Sequence, residues 1–444
     1  MRHMMAVAAM APLWWAGAAL AQDGDASGLR VSGSVRLRTE SIANAPRAGV
    51  SPADDLFGLR TRIFAETDAG GWTVAGELYD SRVFGAEDDA PITTNDVNAL
   101  ELVQLYARRP FEAGGMEGAV QIGRFMINLG SRRLVAADDF RNTTNGYTGV
   151  RLDLERGGAS LAAIAASPQI RRPDNLDDLR DAAIRVDHES AAQQVFGGVA
   201  TWASAPNGPS LQGSYFYFVE RDRSGSQTRD RRLHTAGLRA FRDPARGAWD
   251  HDVEGFRQWG EISVSAALNA PRQDVAAWFL HAEIGRTWDA PWRPRLSVEY
   301  DVASGDDPGG DFERFDTLFG MRRAEIAPSG LYNAVGRANL AAPAVRFEAQ
   351  PSPRWDLMAV WRGLALESRF DAFSTTGARD PSGAAGVDAG EQVELRVRAW
   401  LAPDRVRLEG AVVHLDKGPF FARAPNANGS GDTLYSVLDL TYSF

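Results

Sequence analysis

The chain has 444 residues, with 44 glycines, 12 tryptophans, no cysteine and a formal net charge of −10. The absence of cysteine excludes a disulfide scaffold, a thiol nucleophile and a zinc centre of the cysteine type. The acidic excess argues against a general nucleic-acid binder, whose affinity rests on neutralising phosphates. Lys417 is the only lysine among 48 basic residues. The positive charge is therefore almost all guanidinium, which binds carboxylates in bidentate fashion, although a GC-rich genome produces the same bias.

Residues 1–21 read as an address. Arg2 opens a short positive region, residues 4–19 are almost wholly apolar, and Ala19-Leu20-Ala21 is a small-x-small cleavage site before Gln22. This is the pattern of a secretory signal peptide, and it implies export. An uncleaved anchor is the competing reading, disfavoured by the polar run Gln22-Asp23-Gly24-Asp25. No later apolar run is long enough for a membrane helix. Residues 22–444 are expected to form one domain.

From residue 30 onward, segments of about ten residues alternate apolar and polar side chains between Gly, Pro, Asp and Asn clusters, the signature of half-buried strands. In 31–38, Val31, Val35 and Leu37 oppose Ser32, Ser34, Arg36 and Arg38; in 57–66, Phe57, Leu59 and Ile63 oppose Arg60, Arg62 and Glu66. Further strands are predicted at 71–80, 98–108, 117–126, 147–155, 158–167, 192–202, 211–220, 232–241, 255–266, 274–286, 294–303, 340–348, 354–365, 390–401, 404–414 and 433–444. Together they make eighteen.

A sandwich or propeller would also show many short strands, but no forty-residue repeat is visible. A dyad period behind a signal peptide instead predicts an all-β fold, a transmembrane antiparallel β-barrel of eighteen strands in the outer membrane. Connections alternate in length: turns near 68–70, 156–157 and 402–403 are short, whereas 81–97, 126–146, 168–191, 304–339 and 366–389 are long, as expected of the periplasmic and external ends. In the last segment Leu434, Leu438, Leu440, Tyr442 and Phe444 share one face. Leu440, Tyr442 and the terminal Phe444 resemble the signal that barrel-assembly machinery reads. Trp72, Trp278, Trp288, Trp292, Trp355, Trp361 and Trp400 lie where aromatic girdles would sit.

Two stretches carry a family resemblance. Ile122-Gly123-Arg124-Phe125, Leu129-Gly130-Ser131-Arg132-Arg133-Leu134-Val135, Asp138-Asp139-Phe140, Arg141-Asn142 and Gly149-Val150-Arg151-Leu152 form the first. Tyr300-Asp301-Val302-Ala303-Ser304-Gly305-Asp306, then Phe315-Asp316-Thr317-Leu318-Phe319, form the second. This order resembles the alginate export family of outer-membrane porins; Asp80-Ser81-Arg82 and His414-Leu415-Asp416-Lys417-Gly418 also fit. Thr148, Gly320 and the pair Arg322-Arg323 depart from the family's aspartate, proline and histidine. The resemblance implies an eighteen-strand monomer, surrounded by outer-membrane lipid, that passes a linear anionic, uronate-like saccharide outward. Passive uptake of acidic oligosaccharides or other small anions is the alternative.

In a barrel the charged parity of each strand faces inward. That assigns Arg36, Arg38, Arg60, Arg62, Arg124, Arg151, Arg239, Arg295, Arg362, Arg396 and Arg398 to the lumen or its rims, with Arg132 and Arg133 in the resembling stretch joining the substrate path. Such a wall attracts anions. Arg124 and Arg151 are the single positions singled out. The competing expectation is bracing by carboxylates on the same strands, among them Glu77, Glu101, Asp153, Glu299, Asp301 and Glu394. No cofactor, no metal centre and no catalytic residue is expected: His188, His234, His251, His281 and His414 show no ligand spacing. A Ser214/His234 pair is the one conceivable hydrolase arrangement. Asp306, Asp307 and Asp311 could hold calcium, but a solvated acidic loop is the preferred reading.

Overall fold

Alternation of side chains makes each predicted segment pair edge to edge with its neighbour. A computed structural model describes residues 28–86, 90–205, 208–223, 227–322 and 325–444. The expected signal peptide and Glu87-Asp88-Asp89 lie outside the described residues. The strands are β1 (Arg30–Ala43), β2 (Ala53–Ala69), β3 (Trp72–Phe84), β4 (Asn98–Ala113), β5 (Met116–Phe125), β6 (Tyr147–Arg156), β7 (Ala159–Pro168), β8 (Gln193–Ala203) and β9 (Ser210–Glu220). They continue as β10 (Arg232–Arg242), β11 (Trp249–Ser263), β12 (Arg272–Thr287), β13 (Arg295–Ala303), β14 (Leu340–Ser352), β15 (Trp355–Ala365), β16 (Asp388–Ala402), β17 (Val406–Lys417) and β18 (Thr433–Ser443). Each pairs antiparallel with its sequence neighbours, and β18 returns to β1, closing an eighteen-stranded barrel.

The eighteen predicted segments all become strands. β11 starts six residues earlier than expected, because Asp250, Asp252 and Glu254 alternate with Trp249, His251 and Val253 and point their carboxylates inward. Two short helices, α1 (Leu176–Arg180) and α2 (Pro419–Arg423), sit in connections where the sequence shows no helical period.

At the seam, Phe444 N–H donates to Gly33 O at 3.0 Å, and Phe444 O accepts from Gly33 N–H at 2.9 Å. Position 33 needs glycine, since a Cβ there would come within 2.5 Å of the Phe444 ring.

The outward face is apolar. Leu37, Ile63, Leu78, Leu105, Ile122, Leu280, Leu296, Val298, Leu395, Leu438 and Leu440 are exposed, which water would penalise by about 25 cal/mol per Å² and hydrocarbon would not. Among the described residues no helix is long and apolar enough to cross a membrane; the crossing is made by strands. Connections near 70–71, 114–115, 157–158, 353–354 and 403–405 are short, while those after β5, β7, β13 and β15 are long, so the barrel has a short-turn end and a long-loop end. Trp72, Trp288, Trp292 and Trp355 mark the former, Trp278 and Trp361 the latter. Trp400 departs from the expected girdle: it shares the inward parity of Glu394, Arg396 and Arg398 and lies under the Arg398 guanidinium.

Candidate functional site: the loop-filled lumen

Two long loops turn into the barrel. Residues 126–146, between β5 and β6, and 304–339, between β13 and β14, pair with one another: Phe319 N–H donates to Leu134 O (2.9 Å) and Met321 N–H to Arg132 O (3.0 Å). An aromatic core fastens the second loop to the wall. Phe315 stacks on Phe279 and Phe256, and Phe319 meets Phe218 and Tyr147 edge-on. Five of these rings are buried and Phe319 is partly so.

The β1–β2 wall grips the first loop with guanidinium groups. Arg36 donates to the carbonyls of Asp139, Phe140 and Arg141, and Arg60 to those of Asp139 and Arg141. Arg38 forms a bidentate pair with Asp439 (2.6 Å for both bonds), donates to Phe140 O and covers the Phe140 ring. Buried carbonyls at a loop apex need donors, and these arginines supply them.

Most of the remaining predicted arginines meet carboxylates. Arg62 pairs with Glu77, Arg151 with Asp153, and Arg398 with Asp356. Arg295 reaches Asp250, Glu283 and Glu348; Arg362 reaches Glu299 and Asp301; Arg239 binds Asp252. Arg396 lies on the inward parity of β16. Arg133 is fully buried and joins Asp252 and Glu254 of β11 to Glu325 of the second loop, a tie between two loops and the wall. Arg124 is placed differently from the expectation. It lies opposite Leu105 and Thr148, on the parity of outward-facing Val120 and Ile122, and its guanidinium folds onto Glu101 and Glu189 at the rim. The parity of Val120 and Ile122, not the charge of Arg124, decides which way this part of β5 faces. Toward the short-turn end a cavity of about 220 Å³ remains, lined by Arg239, Asp250, Glu283, Arg295, Arg346 and Glu348.

A further group of cations lies on loops. Arg47 (β1–β2 loop), Arg141 (β5–β6 loop), Arg171 (β7–β8 loop) and Arg322 (β13–β14 loop) gather around Asp138, Asp96 and Asp187. Arg141 pairs with Asp138 at 2.7 Å and shares the Asn95 side chain with Arg171. Arg322 donates to Thr375 Oγ1 at 3.2 Å. Burial, then the nearby Arg141 charge, pushes both Arg171 and Arg322 down to about 10, a field that an arriving anion would relieve. Arg132, in a left-handed backbone conformation and half-buried, is lowered by burial against the partial compensation of Glu325. Of these, only Arg132 was singled out from sequence. The others sit in aperiodic loops, where no parity tells which side chains converge.

Ser214 and His234 do not approach as a catalytic pair. Ser214 faces inward beside Gly237 and Phe256, whereas His234 lies on the outward face with Leu238. Asp306 and Asp307 are engaged by Glu313 N–H and the Ser368 hydroxyl, and among the described residues no group of His, Asp and Glu converges as a cation cage.

A family model described as alginate export matches residues 28–432. No curated protein matches the chain. Several crystal structures from Pseudomonas aeruginosa share the fold. OpdL is 14% identical, with a TM-score of 0.56, covering 94% of this chain and 98% of its own. OccK2 (OpdF), crystallised in complex with glucuronate, is 12% identical, with a TM-score of 0.57 and coverage of 93% and 98%. OccK8 (OprE) is 11% identical, with a TM-score of 0.57 and coverage of 94% and 98%.

Proposed function

The chain belongs to the alginate export family, and on that footing we propose that it carries a linear polyuronate outward as a monomeric channel, the polymer's carboxylates passing along loop-borne arginines. As a member of that family it is an outer-membrane β-barrel channel rather than an enzyme. The observation that carries the reading is the positive balance of the loop cluster, where Arg47, Arg141, Arg171 and Arg322 share Asp96, Asp138 and Asp187. The strand arginines act as braces: most pair with carboxylates, while Arg36 and Arg60, bonded to loop carbonyls, keep their charge and add to the positive field of the lumen. Arg132, beside the cluster, extends the path.

Passive uptake of acidic oligosaccharides is the second reading. It draws support from the tight aromatic packing of the inserted loops, which narrows the lumen, and from OccK2, a similar barrel that binds a single uronate.

Planar-bilayer recordings at low salt, where screening is weakest, test both. Wild type should be anion-selective, and Arg171→Glu and Arg322→Glu should each lower the anion-to-cation permeability ratio several-fold, whereas Arg151→Glu should change it far less. Equal ratios in all four proteins would remove the loop cluster from the path. Oligomannuronates of increasing length, added on the short-turn side, should block the current in single file if polymer passes. Block by mono- and disaccharides only would favour uptake of short acids.

A further inference from the structure

The outward face of β8–β11 carries a polar feature that passage through the lumen does not use. Phe196, Tyr217, His234 and Trp259 are successive cross-strand partners, and their rings form one continuous stack. Tyr217 and His234 lie 4.5 Å apart, and His234 and Trp259 5.5 Å apart. The row lies near the long-loop ends of its strands. Tyr215, one pleat below, places its hydroxyl 2.7 Å from His234 Nδ1; with the phenol as donor, the ring proton sits on Nε2 and faces outward.

Arg257 shares this face. Trp249 and Trp259, ten residues apart on the outward parity of β11, span ~34 Å of strand, or ~26 Å of depth at a barrel tilt near 40°. This matches an apolar band of about 25 Å. Arg257 therefore lies one pleat inside the outer girdle. Its cross-strand partners are Ala236 and Trp278, and the small side chains of Ala236, Gly255 and Ala276 on the same face stand lower than Trp259 and Trp278, a relief we term the notch. The guanidinium donates to Ala276 O at 3.2 Å, and among the described residues no carboxylate lies within ion-pair distance of it. Above it Arg232 and Arg272 reach Glu261, Arg272 also reaches Asp230, and Asp274 stands opposite Glu261, three carboxylates to two guanidinium groups, and none of these ion pairs includes Arg257. An arginine facing hydrocarbon without a counter-charge is costly. The Ala276 carbonyl satisfies one N–H but carries no charge, which leaves the counter-charge to a group of the bilayer.

We propose that the notch holds the phosphate of a phosphorylated lipid of the outer leaflet, bound by the Arg257 guanidinium and His234 Nε2–H, with its acyl chains along Leu238 and Leu280. Charge-assisted hydrogen bonds from a planar guanidinium suit a phosphate, and the flanking indoles suit the interface between headgroup and chain.

Native mass spectrometry of the full barrel in detergent with added diphosphoryl lipid A tests this. Wild type should retain one lipid A, and dephosphorylated lipid A should be retained at least tenfold less. Arg257→Leu suits a lipid-facing position, so it should fold into phosphatidylcholine vesicles at least as well as wild type, yet lose lipid A retention tenfold or more. His234→Phe, which keeps the ring stack, should lose part of it. Retention unchanged in Arg257→Leu, or independent of the phosphates, would overturn the proposal. So would a wild type that carries no lipid A, or one that dimerises through this face until Arg257 is replaced.

Discussion

Asp187, in the β7–β8 loop, has a buried carboxylate that accepts from Arg172 N–H at 2.8 Å and from Asn98 Nδ2 at 2.9 Å. Burial, and next the Glu101 carboxylate of β4, pushes it up to about 7. Arg171 of the same loop compensates in part, and Arg124 of β5 is already engaged by Glu101 and Glu189. Because the folded value lies above the ordinary carboxylate range, this group's stabilisation is complete below about pH 4 and is lost as pH rises through 7. Residues 169–192 should therefore loosen progressively from about pH 4 to pH 7 and no further above it, seen as hydrogen exchange faster than the chemical rate predicts. Asp187→Asn should abolish that dependence, since Asn98 Oδ1, buried without a partner, can accept from the new amide. A pH dependence that persists in the variant would place its origin elsewhere. None of this was legible at residue scale. Asp187 lies in an aperiodic connection, and its neighbours Asn98 and Glu101 are nearly ninety positions away.

At the scale of elements, strands and loops obey different rules. A strand's facing is set by a period of two, so Val31, Leu37 and Ile63 could be assigned outward from sequence, and their exposure agrees. The β13–β14 loop has no period, and it enters the barrel because Phe315, Phe319 and Ile326 find apolar surface there. Removing Phe315, stacked 5.6 Å from Phe279, should cost the loop's packing about 3–5 kcal/mol without touching a strand pair. Phe315→Ala should keep the strand circular dichroism of the parent while raising single-channel conductance and its noise. Unchanged conductance would mean that Arg133, bridging Glu254 and Glu325, holds the loop without help from the ring.

For the whole molecule, closure is the decisive event, and Phe444 adds the end pair to the β1–β18 ladder. Deleting Phe444 removes both hydrogen bonds to Gly33 and the ring that covers it. Register along the seam, with Leu37 opposite Leu440 and Arg38 opposite Asp439, then loses its terminal constraint. We expect the deletion, and Tyr442→Ser with Phe444→Ser, to lower the amount of barrel reaching the outer membrane several-fold, read as surface labelling and as the heat-modifiable gel band. Wild-type levels would show that Leu440, Tyr442 and Phe444 are dispensable to assembly.

Strand number, the lipid face and the ends where short turns and long loops lie were readable from the chain alone, because alternation is a local property that every residue reports about its neighbour two positions on. The partners of the arginines were not. Arg36 meets carbonyls more than a hundred positions away, Arg133 a carboxylate 192 positions away, and Arg124 and Trp400 lie on faces that charge and hydrophobicity each misassign. Those contacts depend on closure, on register, and on which loops fall inward. They are settled only when eighteen strands meet and buried charges and carbonyls must find partners within the same enclosed volume.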